Sequence, residues 1–527
     1  MKSLPVVLLA VPVLSIYALC LQCSPVYLAH DEVLFALQAH SIASSGHDLS
    51  QRFLPLYFQM ADAGYWATPI TIYVTALFVT FRPLSEVVVR LPSVLVGLVD
   101  VFLVYVVAKR IFSHAGDKGS RYLALIASGL LALTPAHFIH SRLAFDELYP
   151  VPFVLAWLLC LVEFARRRQL RLLFSATSLL GIGVYSYVAA VVMMPVYFFV
   201  TLAALFQMHM RSARPYWVAL TGFAIPLLPL AAWLLAHPSQ YGDEIRMFNL
   251  YDAEHLSPVQ GLRRMLSYRS IAEHLSVYYN YFNPAFLFFS GDTSLHSSTR
   301  EAGVLSLPLA VFLPLGVYEI VTRRRTGINL VVLLGLITAP IAAALVGESY
   351  RINRALVMVP FAVLIATFGV ERFIVAGHKG WRIAGLCLLL LVPVQFAHFY
   401  LDYLTDYRLR SSVWFERNIR GALEEIIARE QWGQPPAIYL NHKIGWIGSY
   451  WRFYLIKHHR EDLLPRTVYF DPGSPGWLGA PAGSLILSTA DEADRIAREG
   501  RTFSDGPNRM KVITEPDERP SFVVFER

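Results

Sequence analysis

Long apolar runs alternate with short clusters of arginine and lysine along most of the chain. Runs of about 20 apolar residues can cross a bilayer as helices, and a helix satisfies its own backbone N–H and C=O groups in hydrocarbon. Such runs lie at roughly 4–24, 86–110, 121–138, 149–165, 170–187, 190–208, 215–236, 303–322, 328–346, 353–373 and 382–400. They predict a mainly α fold, a polytopic transmembrane bundle of about eleven spans. One more apolar segment, 66–81, is short. After residue 401 the pattern changes. Val413 to Arg429 reads as a helix. Short β-like runs follow at Ala437–Leu440, Thr467–Phe470, Ser484–Leu487 and Phe522–Phe525, punctuated by glycine and proline. The expected organisation is a transmembrane domain over 1–400, with external loops 25–65 and 237–302, and a small extracytoplasmic α/β domain over 401–527.

The basic clusters set the orientation. They are Lys109-Arg110 with Lys118 and Arg121, Arg166-Arg167-Arg168 with Arg171, Arg211 with Arg214, Arg323-Arg324-Arg325, and Arg372 with Lys379 and Arg382. Cytoplasmic loops carry an excess of Lys and Arg. All five clusters face the cytoplasm together only if the N-terminus is inside and segment 66–81 does not cross. That segment is therefore expected to be interfacial or re-entrant. Segments 25–65, 139–148, 237–302, 347–352 and everything after 401 then lie on the far side, where acidic, histidine and aromatic residues gather. The cytoplasmic loops hold no glycine-rich phosphate loop, so any chemistry belongs outside.

Composition agrees with a membrane protein. Of 527 residues, 55% are hydrophobic and 16% charged, against roughly 25% charged in soluble domains. The net charge of +7 would raise nucleic acid in a soluble chain. Here the charge sits in short loops, so no nucleic-acid partner is expected. The four cysteines, Cys20, Cys23, Cys160 and Cys387, lie in or beside apolar runs and are expected as packed thiols rather than a disulfide or metal set. The residues before Cys20 lack the small residue of a processed lipoprotein, and the first helix is read as retained.

Four polar stretches can carry chemistry. His30-Asp31-Glu32 opens an amphipathic stretch, Val33 to Ser45, that ends at Gly46. A carboxylate there either caps a helix or takes a proton from an acceptor hydroxyl. His137 to Glu147 brings Arg142, Asp146 and Glu147 to the same face as Asp31. Arg142 and Asp146, four apart, could simply pair on a helix. His137 and His140 with Asp146 are the one metal set that suggests itself. In the loop 237–302, an aromatic run precedes Gly291-Asp292 and His296. It suits the headgroup region and could hold a sugar or lipid headgroup. Gly347 to Arg354 places Arg351 and Arg354 three apart at an outer helix end. Outer arginines run against the positive-inside trend, and a lipid phosphate would account for them. An ordinary ion pair with Glu348 is the plainer reading.

Asp31-Glu32, Glu86-Val87-Val88-Val89-Arg90-Leu91-Pro92-Ser93 with Ala108-Lys109-Arg110-Ile111-Phe112, and Ser141-Arg142-Leu143-Ala144-Phe145-Asp146 carry a likeness. The chain resembles GT-C glycosyltransferases of the protein-mannosyltransferase and aminoarabinose-transferase type. The likeness covers about the first 165 residues. Tyr65-Trp66-Ala67-Thr68-Pro69-Ile70 departs from it, with one proline where many relatives have two. The resemblance implies a membrane enzyme that moves a sugar from a polyprenyl-phosphate carrier to an acceptor hydroxyl outside the cytoplasm, with inversion. The acceptor would be a lipid, a glycan or a protein. It implies Asp31 as base or acceptor-binding group, with Glu32, Asp146 and Glu147 orienting the acceptor or, in some members, a divalent metal ion. Arg142, Arg351 and Arg354 are candidates for the lipid phosphate, and Asp292 and His296 for substrate binding. No other cofactor is implied. The site would face the periplasm or exterior of a bacterial inner membrane. A transporter or flippase for a lipid-linked or sugar substrate is the alternative. It would call for charges buried mid-helix and an internal repeat. The chain shows polar clusters at helix ends and no repeat.

Overall fold

The computed structural model describes all residues except 1–3, 61–63, 249, 253–254, 376–377, 434–436, 473–478 and 493–509. Parts of the two expected external loops and of the C-terminal region fall among these exceptions. The described chain forms two compact units. Unit 1 comprises residues 1–19, 55–71 and 90–401; unit 2 comprises 20–54, 72–89 and 402–527.

Unit 1 is helical. Helical segments long and apolar enough to cross a membrane are Glu86–Ala132, Asp146–Arg167, Ala190–Gln207, Arg214–Ala236, Gly327–Val346, Met358–Val375 and Lys379–Leu404. Glu86–Ala132 has 47 residues, about 70 Å at 1.5 Å per residue, more than twice a hydrocarbon core. It divides at a 3-10 turn, Phe112–Ala115, into Glu86–Ile111 and Gly116–Ala132, as the two expected spans require. Leu170–Ser186 and Leu309–Thr322 are shorter apolar helices, and Leu4–Ala18 is the N-terminal one. Burial sorts these helices. Met358–Val375 is central, with 83% of its apolar window buried, against 17% for Arg214–Ala236 and 22% for Lys379–Leu404. The last two present their apolar side chains outward, as lipid contact allows.

Glycine sets the closest helix approach. Gly316 on Leu309–Thr322 faces the carbonyl of Ile365, and Gly369 on Met358–Val375 faces the carbonyl of Phe312, with no room for a Cβ at either. Small residues let two spanning helices approach backbone to backbone.

Prolines shift several expected boundaries. The span read as 121–138 ends at Ala132, and Pro135 starts a separate helix, Pro135–His140. The span read as 215–236 passes through a 3-10 turn, Ile225–Leu227, that contains Pro226. The span read as 328–346 breaks at Pro340, and the one read from 303 begins at Leu309, after Pro308. Proline lacks the N–H that a helix interior needs. In the short segment 66–81, Tyr65–Ala67 is a strand (β2) paired with Phe58–Met60 (β1). Its helix is only Pro69–Phe81, 13 residues. That is about 20 Å, short of a hydrocarbon core of about 30 Å.

Unit 2 holds the sheet. Ile438–Asn441 (β3), Thr467–Phe470 (β4), Leu485–Thr489 (β5), Met510–Thr514 (β6) and Pro520–Glu526 (β7) are arranged in the order β4-β3-β5-β7-β6. β3 pairs parallel with β4 and β5, and β7 antiparallel with β5 and β6. The four β-like runs all became strands. β6 was missed because Met510-Lys511-Val512-Ile513-Thr514 lacks a clear period. The helix expected over Val413 to Arg429 starts later, at Ile419, because Glu416 and Arg417 take left-handed backbone conformations. The helix His30–Ser45 runs as expected and stops at Gly46, which has φ 72°. Tyr450 donates to the Leu28 carbonyl at 2.7 Å, and Tyr27 to Glu515 at 3.0 Å. These bonds tie the first external loop to the C-terminal fold.

The cysteine expectation is corrected. Cys20 and Cys23 form a disulfide. The chain turns directly after the first helix, with Cys20 at φ 58°. The turn brings the two Cα atoms to 5.0 Å, within disulfide range. Cys160 and Cys387 are free thiols.

Candidate active site

Three polar stretches singled out in unit 1 converge. Glu147 accepts from Asn353 Nδ2 at 2.8 Å, and its other oxygen lies 3.4 Å from His140 Nε2. Asp146 opens a 3-10 turn, Asp146–Leu148, and accepts from Thr68 Oγ1 at 3.0 Å. Asp292 is buried and accepts two backbone N–H bonds of 2.6 Å, from Ser294 and from Ile352. The Asp292 carboxylate thus joins the loop after Gly291 to the segment carrying the two arginines. Arg351 Nε lies 3.9 Å from Asp292 Oδ1. Arg354 donates twice to Glu348, at 2.6 and 3.1 Å, and stands over the Phe248 ring at 5.0 Å. Tyr187 is buried within electrostatic reach of Arg354, Glu147, Asp146 and Glu348.

The charges are tuned by burial and by each other. Burial pushes Asp292 up to about 6, although the Ser294 and Ile352 bonds and Arg351 pull it down. Burial lowers His140, opposed by the Ala136 carbonyl and by Asp292. Burial works against the Arg354 charge, but Tyr187, Glu348 and Glu147 outweigh it, and the guanidinium is held above its ordinary value. A carboxyl raised by burial beside fixed cations is the kind of arrangement found at functional sites.

Several expectations meet a different geometry. Arg142 is fully buried, and its Nη1 donates to the carbonyls of Tyr17 at 2.6 Å and Leu19 at 2.8 Å. Those carbonyls end the first helix, where acceptors lack intrahelical donors. Residues 141–145 are not helical, so the four-residue spacing does not place Arg142 and Asp146 on one helix face. Arg351 and Arg354 do not share a helix face either. Ile352–Ala355 is a 3-10 turn that starts after Arg351 in extended backbone, so the two arginines reach different carboxylates. For Arg354 the plain ion pair with Glu348 is realised. His296 packs edge-on against Phe145, with ring centres 6.0 Å apart.

The considered metal set does not assemble. His137 bonds to Tyr17 at 2.9 Å and lies 3.4 Å from Asp100, while His140 turns to Glu147. Among the described residues no group of three or more His, Cys, Asp or Glu side chains could hold a metal ion.

In unit 2, Asp31 is part-exposed, and His30 Nε2 lies 3.5 Å from it. The His30 ring stacks on Trp446 and reaches Glu416 at 3.3 Å. Burial lowers the His30 pKa, but the Glu416 bond and the Asp31 and Glu416 charges raise it further, with a net rise. Glu32 is fully buried, and its Oε2 accepts from the Ala29 N–H at 3.0 Å. The capping role weighed for Asp31 falls to Glu32, leaving the Asp31 carboxylate at the surface.

Sequence reasoning missed Asn353, Thr68 and Tyr187. Asn353 stood between two arginines and drew no attention. Nothing in the local pattern marks Thr68 or Tyr187, since their roles arise from side chains far along the chain.

Residues 67–233 match the model of the dolichyl-phosphate-mannose-protein mannosyltransferase family. No curated protein matches the chain. Among solved structures, ArnT from Cupriavidus metallidurans in the apo state aligns over 99% of this chain and 98% of its own, at 15% identity and a TM-score of 0.58. The same protein bound to undecaprenyl phosphate aligns over the same shares at 14% identity and a TM-score of 0.58. An Archaeoglobus fulgidus oligosaccharyltransferase aligns over 97% of this chain and 74% of its own, at 13% identity and a TM-score of 0.47. The chain is an integral membrane protein with the fold seen in ArnT, and its residues 67–233 match the family of dolichyl-phosphate-mannose-protein mannosyltransferases.

Proposed function

We propose that the protein is a membrane glycosyltransferase that moves a sugar from a polyprenyl-phosphate carrier to a hydroxyl of a lipid, glycan or protein acceptor. The observation that carries this reading is the cluster of Asp146, Glu147, Asp292, Arg351 and Arg354 in unit 1. The family match and the ArnT fold, solved with undecaprenyl phosphate, support it.

The acceptor oxygen attacks the anomeric carbon as the bond from that carbon to the phosphate oxygen breaks, which inverts the carbon. Polyprenyl phosphate leaves with the bonding electrons. Phosphate is a fair leaving group, so the main need is neutralisation of its charge. Arg351 is best suited: it is one-third exposed, and its carboxylate neighbour is beyond hydrogen-bond distance. Arg354, clamped on Glu348, adds a fixed field. Asp31, part-exposed in unit 2, is the carboxylate proposed to take the acceptor proton. Asp146 orients the acceptor, with Thr68 fixing its second oxygen. Asp292 holds the arginine segment in place.

The reaction belongs on the periplasmic or outer face of a bacterial inner membrane. Two observations support that side. The basic clusters all fall on one side when 66–81 does not cross. The Cys20–Cys23 disulfide follows the end of the first helix at Ala18 and directly precedes the loop assigned to the other side, and disulfides persist in oxidising compartments. The products would be glycosylated envelope lipids, lipopolysaccharide or proteins. Lipid and glycan profiling of cells with and without the gene tests the reading. A sugar-modified acceptor lost with the gene, and not restored by Asp31→Asn, is expected. Unchanged profiles, or full restoration by Asp31→Asn, would oppose it.

A further inference from the structure

Unit 1 holds a concave site that the transfer chemistry does not use. A cavity of about 450 Å³ opens between the C-terminal ends of Glu86–Ile111, Pro150–Arg167 and Leu309–Thr322 and the start of Gly327–Thr338. Ligand pockets span roughly 300–1,000 Å³. The cavity lies at the far end of Pro150–Arg167 from Asp146 and Glu147. The 18 residues of that helix separate the two sites by about 27 Å.

Arg110, His114, Arg166, Arg323 and Arg324 line this cavity, and no carboxylate does. The nearby glutamates are each shared between two basic side chains. Glu163 lies 2.8 Å from both Arg110 and Arg167. Glu371 lies 2.8 Å from Arg324 and 2.9 Å from His114. Glu319 lies 3.2 Å from Arg372 and only 3.9 Å from Arg323. Among the described residues Arg166 pairs with no carboxylate. Positive charge is thus under-compensated, and Arg166 and Arg323 are its exposed carriers.

Ile111, Val162 and Ile328 add apolar lining. Arginines and apolar residues lining one cavity at the ends of spanning helices suit an amphiphilic anion. A phosphate would meet the guanidinium forks, and the first methylenes of the acyl chains would meet the apolar residues. These helix ends are the ones the positive-inside trend assigns to the cytoplasm, whose leaflet carries anionic lipid. We propose that the cavity binds the phosphate headgroup of an anionic phospholipid, held chiefly by Arg166 and Arg323.

The test uses the full-length protein in neutral detergent, with ligand-dependent shifts of the unfolding midpoint as the readout. The probes are short-chain phosphatidylglycerol, short-chain phosphatidylcholine and inorganic phosphate. The proteins are the wild type, the double variant Arg166→Ala/Arg323→Ala, and a control double variant, Arg211→Ala/Arg214→Ala, on another basic loop. Phosphatidylglycerol should stabilise the wild type and the control saturably, and high salt should weaken the effect. The Arg166/Arg323 variant should bind at least about tenfold more weakly, as loss of one charge-assisted bond implies. Equal affinity in that variant would overturn the proposal. So would equal stabilisation by phosphatidylcholine, or by inorganic phosphate, which would make this a free-anion site. Should the double variant not fold, Arg166→Gln alone is compared by native mass spectrometry for co-purified anionic lipid. Loss of that lipid supports the site, and retention at the wild-type level refutes it.

Discussion

Arg351 and Arg354 stand three residues apart, yet the structure gives them opposite consequences on removal. Arg351 is one-third exposed, and its nearest carboxylate oxygen is 3.9 Å away. Ion pairs of this kind are worth at most about 1 kcal/mol, so Arg351→Ala should leave stability within about that margin. A charge-assisted bond to a lipid phosphate is worth about 1.5–3 kcal/mol, so the same substitution should weaken binding of polyprenyl phosphate by about 10- to 150-fold. Arg354 has a side chain only 14% exposed and is paired twice with Glu348, which is itself 35% exposed. Breaking a buried pair from one side costs about 3–5 kcal/mol. The exposure of Glu348 brings the expected loss for Arg354→Ala down to about 2–3 kcal/mol. The assay is a titration of purified protein with polyprenyl phosphate, read by intrinsic fluorescence, alongside unfolding midpoints for each variant. Wild-type affinity in Arg351→Ala would refute its assignment to the phosphate. A larger stability loss in Arg351→Ala than in Arg354→Ala would refute the reading of both contacts.

Other consequences can be checked with the same preparations. Asp292, at about 6 in the fold, binds more protons folded than unfolded between about pH 4 and pH 6. Its contribution is therefore fully present at about pH 4, is lost as pH rises to about 6, and totals about 3 kcal/mol. Unfolding midpoints across this window should fall with pH, and Asp292→Asn should flatten the slope; an unchanged slope would dismiss the Asp292 assignment. Glu32→Gln, which weakens a helix cap, should cost about 1 kcal/mol of stability with little loss of transfer. Asp31→Asn should do the reverse, and measuring both quantities for both variants separates the roles. Gly369→Ala would drive a Cβ into the Phe312 carbonyl and should cost about 1–3 kcal/mol through overpacking. No change in its unfolding midpoint would mean that the two helices are packed more loosely than described.

The membrane architecture was legible because a 20-residue apolar run has few other uses, and the basic clusters between runs are a direct consequence of topology. Strands β3, β4, β5 and β7 were legible for a similar reason, being short apolar runs bounded by turn residues. What the linear pattern hid was partnership. Arg142 looks like a phosphate ligand from its company, yet its guanidinium ends a helix more than a hundred residues earlier. Asp31 and Glu32 are neighbours with equal claims until the Ala29 N–H selects Glu32. The disulfide was misread because its formation depends on a left-handed turn at Cys20, and no residue type there announces it. Thr68 and Asn353 join the cluster through bonds to residues 78 and 206 positions away, and Tyr187 through electrostatic interactions that reach as far as Arg354, 167 positions away. No local periodicity reports contacts of that range.

Sugar transfer itself can be followed in proteoliposomes holding the purified protein, radiolabelled polyprenyl-phosphate sugars and acceptors extracted from the source envelope. Wild-type protein should release polyprenyl phosphate in step with label appearing on an acceptor, while Asp146→Asn and Asp31→Asn, folded to wild-type stability, should lose most of that transfer. Transfer at the wild-type rate by both variants, or none by the wild type with any polyprenyl-phosphate sugar supplied, would contradict the account.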